Sequence, residues 1–334
     1  MEGLPLVSIV CAWYNRADFL HDTLQSLLTQ SFDSFEIVLV NDGSKDPRVR
    51  EILDTFDDPR LIVIHQTNAG FVAAIRHAID ASRGRYIAVQ GAGDVSEPER
   101  ISKQVQAMEA DTRLGVVGCL RRHEAYNVAG VSTALGTHGK AGPASIDDFL
   151  KGGNPFSHGE VMIRREAYEQ VGGYRPFFMF AQDRDLWIRI AAAGWKMSNL
   201  PDVLYVRRNF AGDGVSTNRS KLYLQQAFSS FARQCHDDRL RDGADAVDIY
   251  GASAGLLRRP HPALAEASAK IALQSLYLGD MDEARIYARR ALEERCNVRT
   301  FATRLAVESA AHFPLLRRFY LKLLGHRAGW ETLS

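Results

Sequence analysis

Gly84-Arg85-Tyr86-Ile87-Ala88-Val89-Gln90-Gly91-Ala92-Gly93-Asp94-Val95-Ser96-Glu97-Pro98-Glu99-Arg100 reads as strand, bare loop and helix start. Tyr86 to Val89 is a short run of aromatic and β-branched residues, Gly91 and Gly93 break it, and Pro98 falls where a first helical turn accepts proline. A loop at the carboxyl end of a buried strand is where open α/β sheets place their ligands.

Upstream, Leu6 to Ala12 is nearly all apolar, the pattern of a strand covered on both faces, and Arg16 to Gln30 sets Leu20, Leu24, Leu27 and Leu28 at helical spacing. Phe35 to Val40 is the next buried strand and ends in the turn signal Asn41-Asp42-Gly43-Ser44. A helix over 47–56, a strand over 61–65 and a helix over 70–82 continue the alternation, which predicts a mostly parallel sheet flanked by helices.

Downstream, 98–110 is expected to be helical and 115–120 a strand. From Arg121 to Gly142 the period disappears, so this stretch is expected to be a loop or hairpin excursion of the kind that carries specificity. A strand over 160–163, a short helix over 165–171 ended by Gly172-Gly173, and a helix over 183–193 ended by Gly194 follow. The run HDDRLRDGADAVD at 236–248 holds seven charged residues besides its histidine, and marks a linker between a domain over 1–235 and a helical region over 249–334. Within that region 267–292 reads as a helical hairpin turning at Leu278-Gly279-Asp280. It resembles one unit of a tetratricopeptide-like repeat, although one copy does not make a solenoid.

The 334 residues and 46% hydrophobic content suffice for one large α/β domain and a small helical appendage. A net charge of +1 argues against nucleic acid as a partner. The four cysteines are widely spaced, with no C-x-x-C pair, so neither a disulfide framework nor a zinc site is written here, and a reducing, cytoplasmic compartment fits. The amino-terminal apolar run leads to Tyr14-Asn15 instead of a small-residue cleavage site, and no apolar run approaches the roughly 20 residues that span a bilayer.

Three residues invite a chemical reading. Asp42 at a strand end is either an ordinary turn residue or an acceptor for the N3–H of a uracil ring, with Tyr14 on the neighbouring strand end offering a face to the base. Asp183 caps a helix, or takes a proton from a hydroxyl as that oxygen attacks a sugar carbon. His158 is a structural hydrogen-bonder, or contacts an acceptor or a leaving phosphate.

The ordered set Val7-Ser8-Ile9-Val10, Tyr14-Asn15, Gln30-Ser31-Phe32, Phe35-Glu36-Ile37, Asn41-Asp42-Gly43-Ser44-Lys45-Asp46, Asn68-Ala69-Gly70 and Gly84-Arg85-Tyr86-Ile87 resembles the family 2 glycosyltransferases of the GT-A fold. Met162-Ile163-Arg164-Arg165, Val171-Gly172-Gly173-Tyr174 and Asp183-Arg184-Asp185-Leu186-Trp187-Ile188-Arg189 extend it, over about residues 5 to 210. The resemblance implies an inverting transfer from a nucleotide-sugar, with UDP the expected carrier, to a glycan or lipid-linked acceptor. It places Ala12, Tyr14, Asp42, Gly70 and Ala92 around the nucleotide, makes Asp183 the base, and leaves His158, Trp187, Arg207 and Arg208 for acceptor or phosphates.

The chain departs from that family at the organising loop. Gly91-Ala92-Gly93-Asp94 stands where Asp-x-Asp-Asp is usual, so the carboxylate that holds Mg²⁺ or Mn²⁺ matches Gly93, and Asn209 follows Arg207-Arg208 where a metal-binding histidine is frequent. A leaving diphosphate gains negative charge that an ion or a fixed cation must meet. Asp94 could hold the ion alone or with waters, Arg207, Arg208 or His158 could replace it, or the protein could bind nucleotide without turnover and serve as an assembly partner. A Rossmann dehydrogenase fails, because Trp13-Tyr14-Asn15-Arg16 follows the first strand with no G-x-G-x-x-G. The tail from His312 mixes Leu315, Leu316, Phe319, Tyr320, Leu323 and Leu324 with Arg317, Arg318, Lys322 and Arg327. It is either a packed terminal helix or a peripheral contact of 312–330 with an anionic inner membrane face.

Overall fold

β1 (Val7–Trp13) is buried along its whole length, as an apolar strand with neighbours on both edges should be. The computed structural model describes residues 4–126, 132–210 and 219–325. The chain forms two compact units, residues 1–211 and 212–334.

In the first unit β1 is followed by α1 (Ala17–Leu28), β2 (Phe35–Asp42), α2 (Arg48–Leu53), β3 (Leu61–Gln66), α3 (Phe71–Asp80) and β4 (Tyr86–Gln90). These four strands lie in the order β3-β2-β1-β4, all parallel. Their carboxyl ends therefore open on one edge, where the loops to α1, α2 and α3 leave. α1 buries Leu20, Leu24 and Leu27 on its inner face, each worth about 1.5–3 kcal/mol over the exposed state.

Then come β5 (Val95–Ser96), α4 (Arg100–Ala110), β6 (Leu114–Tyr126), β7 (Ser132–His138), β8 (Gly142–Ala144), α5 (Ile146–Leu150), a 3-10 turn (His158–Glu160), β9 (Met162–Arg164), α6 (Arg165–Gln170), α7 (Gln182–Ala192) and β10 (Lys196–Phe210). β9 is antiparallel to both β4 and β6, whereas β10 runs parallel to β6 and carries β5 and β8 antiparallel. The sheet is thus parallel in its first half and mixed in its second.

Three local details are sharpened. α4 starts at Arg100, not Pro98, because Val95 and Ser96 pair with β10 and the Arg100 N–H closes a turn on the Glu97 carbonyl. Of the loop and the hairpin expected over 121–142, the described residues show the hairpin: β6 runs on to Tyr126 and pairs antiparallel with β7, and 127–131 lie outside the described residues. β7 is exposed throughout, so no apolar face selected a period-two pattern there. β10 runs on to Phe210 and brings Arg207 to Phe210 alongside β6.

The second unit comprises α8 (Arg219–Asp242), α9 (Ala246–Tyr250), a 3-10 segment (Gly251–Leu257), α10 (Pro262–Leu278), α11 (Met281–Glu294), α12 (Val298–His312) and α13 (Pro314–Gly325). The expected linker at 236–248 is corrected here: residues 236–242 finish α8, and the boundary between units falls before α8. The charges are ion-paired locally instead of solvated. Arg239 meets Asp245 at 2.9 Å, Arg241 meets Asp238 at 2.9 Å, and Asp245 caps α9 through the N–H groups of Val247 and Asp248. The hairpin does turn where expected, with Gly279 in the left-handed conformation at φ +85° closing α10. Its core joins Ile271, Leu276, Tyr287, Val307 and Leu324. Among the described residues no helix is long and apolar enough to cross a membrane.

Candidate active site

Asp42 is the last residue of β2 and is buried. Its carboxylate accepts four hydrogen bonds, from Gln66 Nε2 (2.7 Å) and the Ala69 N–H (2.8 Å) on one oxygen and from the Gly70 N–H (2.9 Å) and Asn68 Nδ2 (3.2 Å) on the other. It therefore shapes the loop that enters α3, and a base seated here must share that carboxylate with Gln66 or Asn68. Tyr14 stands exposed just past β1, Ala12 is buried within it, and Gly70 has open space where a Cβ would project.

The loop after β4 is closed on itself. Asp94 is half-buried, with Oδ2 accepting from the Tyr205 hydroxyl (2.8 Å) and Oδ1 from the Arg208 N–H (2.8 Å), while the Gly91 N–H donates to the Tyr205 oxygen (2.9 Å). Burial raises the Asp94 carboxyl above the usual carboxylate range, against those hydrogen bonds and the charges of Arg207 and Arg16. Further carboxylates in this loop would have to displace their neighbours. A Cβ on Gly91 would collide with Asp94 Oδ2, and one on Gly93, at φ +90°, would lie 2.9 Å from the Phe210 ring. A divalent ion takes oxygen ligands, and this loop offers it one carboxylate, Asp94, whose oxygens each already accept a protein hydrogen bond, which makes the loop a poor fit to such an ion. Among the described residues no group of three His, Cys, Asp or Glu side chains is arranged to hold a metal.

Arg208 packs over Phe19 (5.6 Å) and Tyr126 (5.4 Å) and pairs with Asp22 at 3.2 Å, so it braces the loop from the side. Arg207 reaches Ser157 Oγ at 3.3 Å, next to His158. Arg16 passes beside Gly93: its Cδ lies 3.7 Å from where a Cβ there would be. The guanidinium stacks 4.6 Å from the Phe210 centroid and donates to the Ala92 carbonyl at 2.6 Å.

Asp183 lies in the first turn of α7, which begins after Ala181 in a left-handed conformation at φ +52°. Asn154 Nδ2 donates to Asp183 Oδ2 at 2.9 Å. Its neighbour Asp185 faces inward, ion-paired with Arg189 at 2.6 Å and with Arg175. The two aspartates thus divide the work: Asp185 anchors the helix and Asp183 faces the site. His158 hydrogen-bonds to the Tyr174 hydroxyl and packs edge-on against Phe71, 5.2 Å between centroids. Burial lowers the pKa of its imidazole, opposed by the Asp183 carboxylate. Trp187 is fully buried, its ring centroid 6.4 Å from that of His158, with its indole N–H unpartnered.

The predicted residues come together in two linked groups. Gly70, bonded to Asp42, precedes Phe71, which touches His158, which in turn feels Asp183. Arg207 bridges from Ser157 toward Asp94. Sequence reasoning missed Arg16, Asn154, Tyr174, Tyr205 and Phe210. Only Arg16 carried a local signal, following Tyr14-Asn15 directly at the end of β1.

A parallel half-sheet with its loops gathered around buried carboxylates is the architecture of a GT-A glycosyltransferase. Two solved structures share it over nearly the whole chain. The Pyrobaculum calidifontis mannosyltransferase PcManGT, in complex with GDP-Man and Mn²⁺, superposes with a TM-score of 0.53 at 20% identity, covering 96% of this chain and 86% of that one. Staphylococcus aureus TarS 1–349, in complex with UDP-GlcNAc, gives 0.55 at 14% identity, covering 92% and 91%. In sequence, residues 8–172 match the model of glycosyl transferase family 2. Bacillus subtilis (strain 168) EpsE, named as a glycosyltransferase, is 30% identical over 216 residues, 61% of this chain and 73% of its own length. Erwinia amylovora AmsE, an amylovoran biosynthesis glycosyltransferase, is 27% identical over 231 residues, 66% of this chain and 82% of its own. The chain belongs to glycosyltransferase family 2.

Proposed function

We propose that this protein is an inverting glycosyltransferase that moves a sugar from a nucleotide-sugar, with UDP the expected carrier, to a hydroxyl of a glycan or lipid-linked acceptor in cell-surface polysaccharide synthesis. The observation that carries the reading is the placement of Asp183. It sits at a helix start beside a half-buried histidine and is joined through His158, Phe71 and Gly70 to the Asp42 loop. Asp183 takes the acceptor proton as the acceptor oxygen bonds to the anomeric carbon. The bond from that carbon to the diphosphate breaks on the opposite face, and the configuration inverts. Asn154 keeps one carboxylate oxygen aimed while leaving the other to the substrate.

AmsE supports a polysaccharide product and TarS supports UDP, while PcManGT binds a guanine carrier. The glycine-rich loop favours a second reading, nucleotide-sugar binding without turnover. One experiment separates the two. Asp183→Asn is expected to keep the nucleoside diphosphate affinity of the parent in calorimetry and to lose about 10²–10⁴-fold in transfer from the matching sugar nucleotide. Transfer near the parental rate would remove Asp183 from the mechanism, and a parent that binds but never transfers would leave the second reading standing.

A further inference from the structure

We propose that the diphosphate end of this site works without a divalent ion and that Arg16 supplies the positive charge there. The proposal rests on the glycosyltransferase reading above. The loop offers a metal a single carboxylate, Asp94, each of whose oxygens already accepts a protein hydrogen bond, and a side chain at 91 or 93 would meet Asp94 Oδ2 or the Phe210 ring. The space beside Gly93 is taken instead by the Phe210 ring and the stem of Arg16.

Arg16 is held in a specific pose. Its backbone is left-handed at φ +57°, as is that of Asn15 at φ +55°, conformations that cost on the order of 1–3 kcal/mol and persist where the surroundings impose them. The clamp is visible. The Asn15 N–H donates to Ser44 Oγ at 2.8 Å, and Asn15 Oδ1 accepts the Lys45 N–H at 2.9 Å, which ties this corner to the loop after Asp42. One guanidinium nitrogen is fixed on the Ala92 carbonyl and the plane rests on Phe210. A half-exposed cation is thereby set between the Asp42 loop and the 91–94 loop, where a nucleotide bound at Asp42 extends its phosphates. A guanidinium stays charged at any physiological pH and its forked donors match phosphate oxygens, so it meets the charge of a departing diphosphate without a metal.

The test is calorimetry on the full chain with UDP, GDP, ADP, CDP and dTDP, in EDTA and again with MnCl₂. The diphosphate that binds is expected to keep its affinity within about twofold in EDTA. Arg16→Gln should weaken it by about tenfold or more and Arg16→Lys by less, while the matching phosphate-free nucleoside binds both variants as it binds the parent. Affinity restored about tenfold by Mn²⁺, or a Gln variant that binds the diphosphate like the parent, overturns the inference and leaves the glycosyltransferase reading intact. Loss of the nucleoside in both variants also overturns it, assigning Arg16 to the scaffold. If none of the five binds in either condition, the donor reading falls and takes this inference with it.

Discussion

Among the described residues only Asn15, Arg16 and Ala181 combine a side chain with a positive φ, and all three flank the site. Strain concentrated there is what a pre-set binding surface requires. A different reservoir lies at Glu160, which closes the turn holding His158 and is fully buried, its Oε2 without a partner. Burial raises its carboxyl from the usual 4.5 to about 7, with Arg121 opposing. The folded state therefore binds this proton more tightly than the unfolded chain does. The associated stability is complete below pH 4.5 and is lost as pH rises through about 7. In urea unfolding at pH 5 and pH 8, Glu160→Gln should remove on the order of 1–3 kcal/mol of the parent's loss across that interval. An unchanged pH slope would mean the carboxylate is solvated. Asp42 and Asp183 were legible because a turn at a strand end and a helix start are local signals. Tyr205 was not, since it meets Asp94 across 111 residues of chain and its hydroxyl matters only once β10 lies beside that loop.

The elements that build the site are fastened from behind. α7 is fixed by Asp185, whose carboxylate pairs with Arg189 and Arg175, while Arg189 also donates to the Gly173 carbonyl at 2.7 Å. Removing one member of a buried ionic group leaves the others uncompensated. Asp185→Asn is expected to lower unfolding stability by about 3–5 kcal/mol in denaturant titration, whereas Asp183→Asn should be close to neutral there. Equal effects of the two would contradict the division of labour between them. The alternation of β1 to β4 with their helices was legible because each strand is a continuous apolar run. The later elements were harder: β7 buries no face, and α8 hides its regularity behind charges that pair with residues as distant in sequence as Asp280.

Across the whole chain the second unit adds a surface of its own. On α13 Leu315 is 79% exposed and Phe319 60%, beside Arg317, Arg318 and Lys322, with no acidic residue in the helix. That composition suits an anionic bilayer, and we place the proposed peripheral contact of 312–330 there; 326–330 lie outside the described residues. Flotation with anionic liposomes should recover the parent, and the double substitution Arg317→Glu with Arg318→Glu should abolish recovery, as each basic residue contributes about 1 kcal/mol near such a surface. Recovery unchanged by charge reversal would return α13 to the role of a packed terminal helix. At this scale the two-part organisation was legible from composition, whereas the boundary was not, because a charge-rich helix and a charge-rich linker have the same residue content. The ring of Phe210 against Gly93 also ties two distant positions of the sequence together. An aspartate introduced at 93 would meet both the aromatic ring and a backbone that L side chains avoid, and trimming Phe210 first would take the platform from under Arg16. A carboxylate at 93 therefore calls for a change at 210 as well, and the two positions are coupled through one ring.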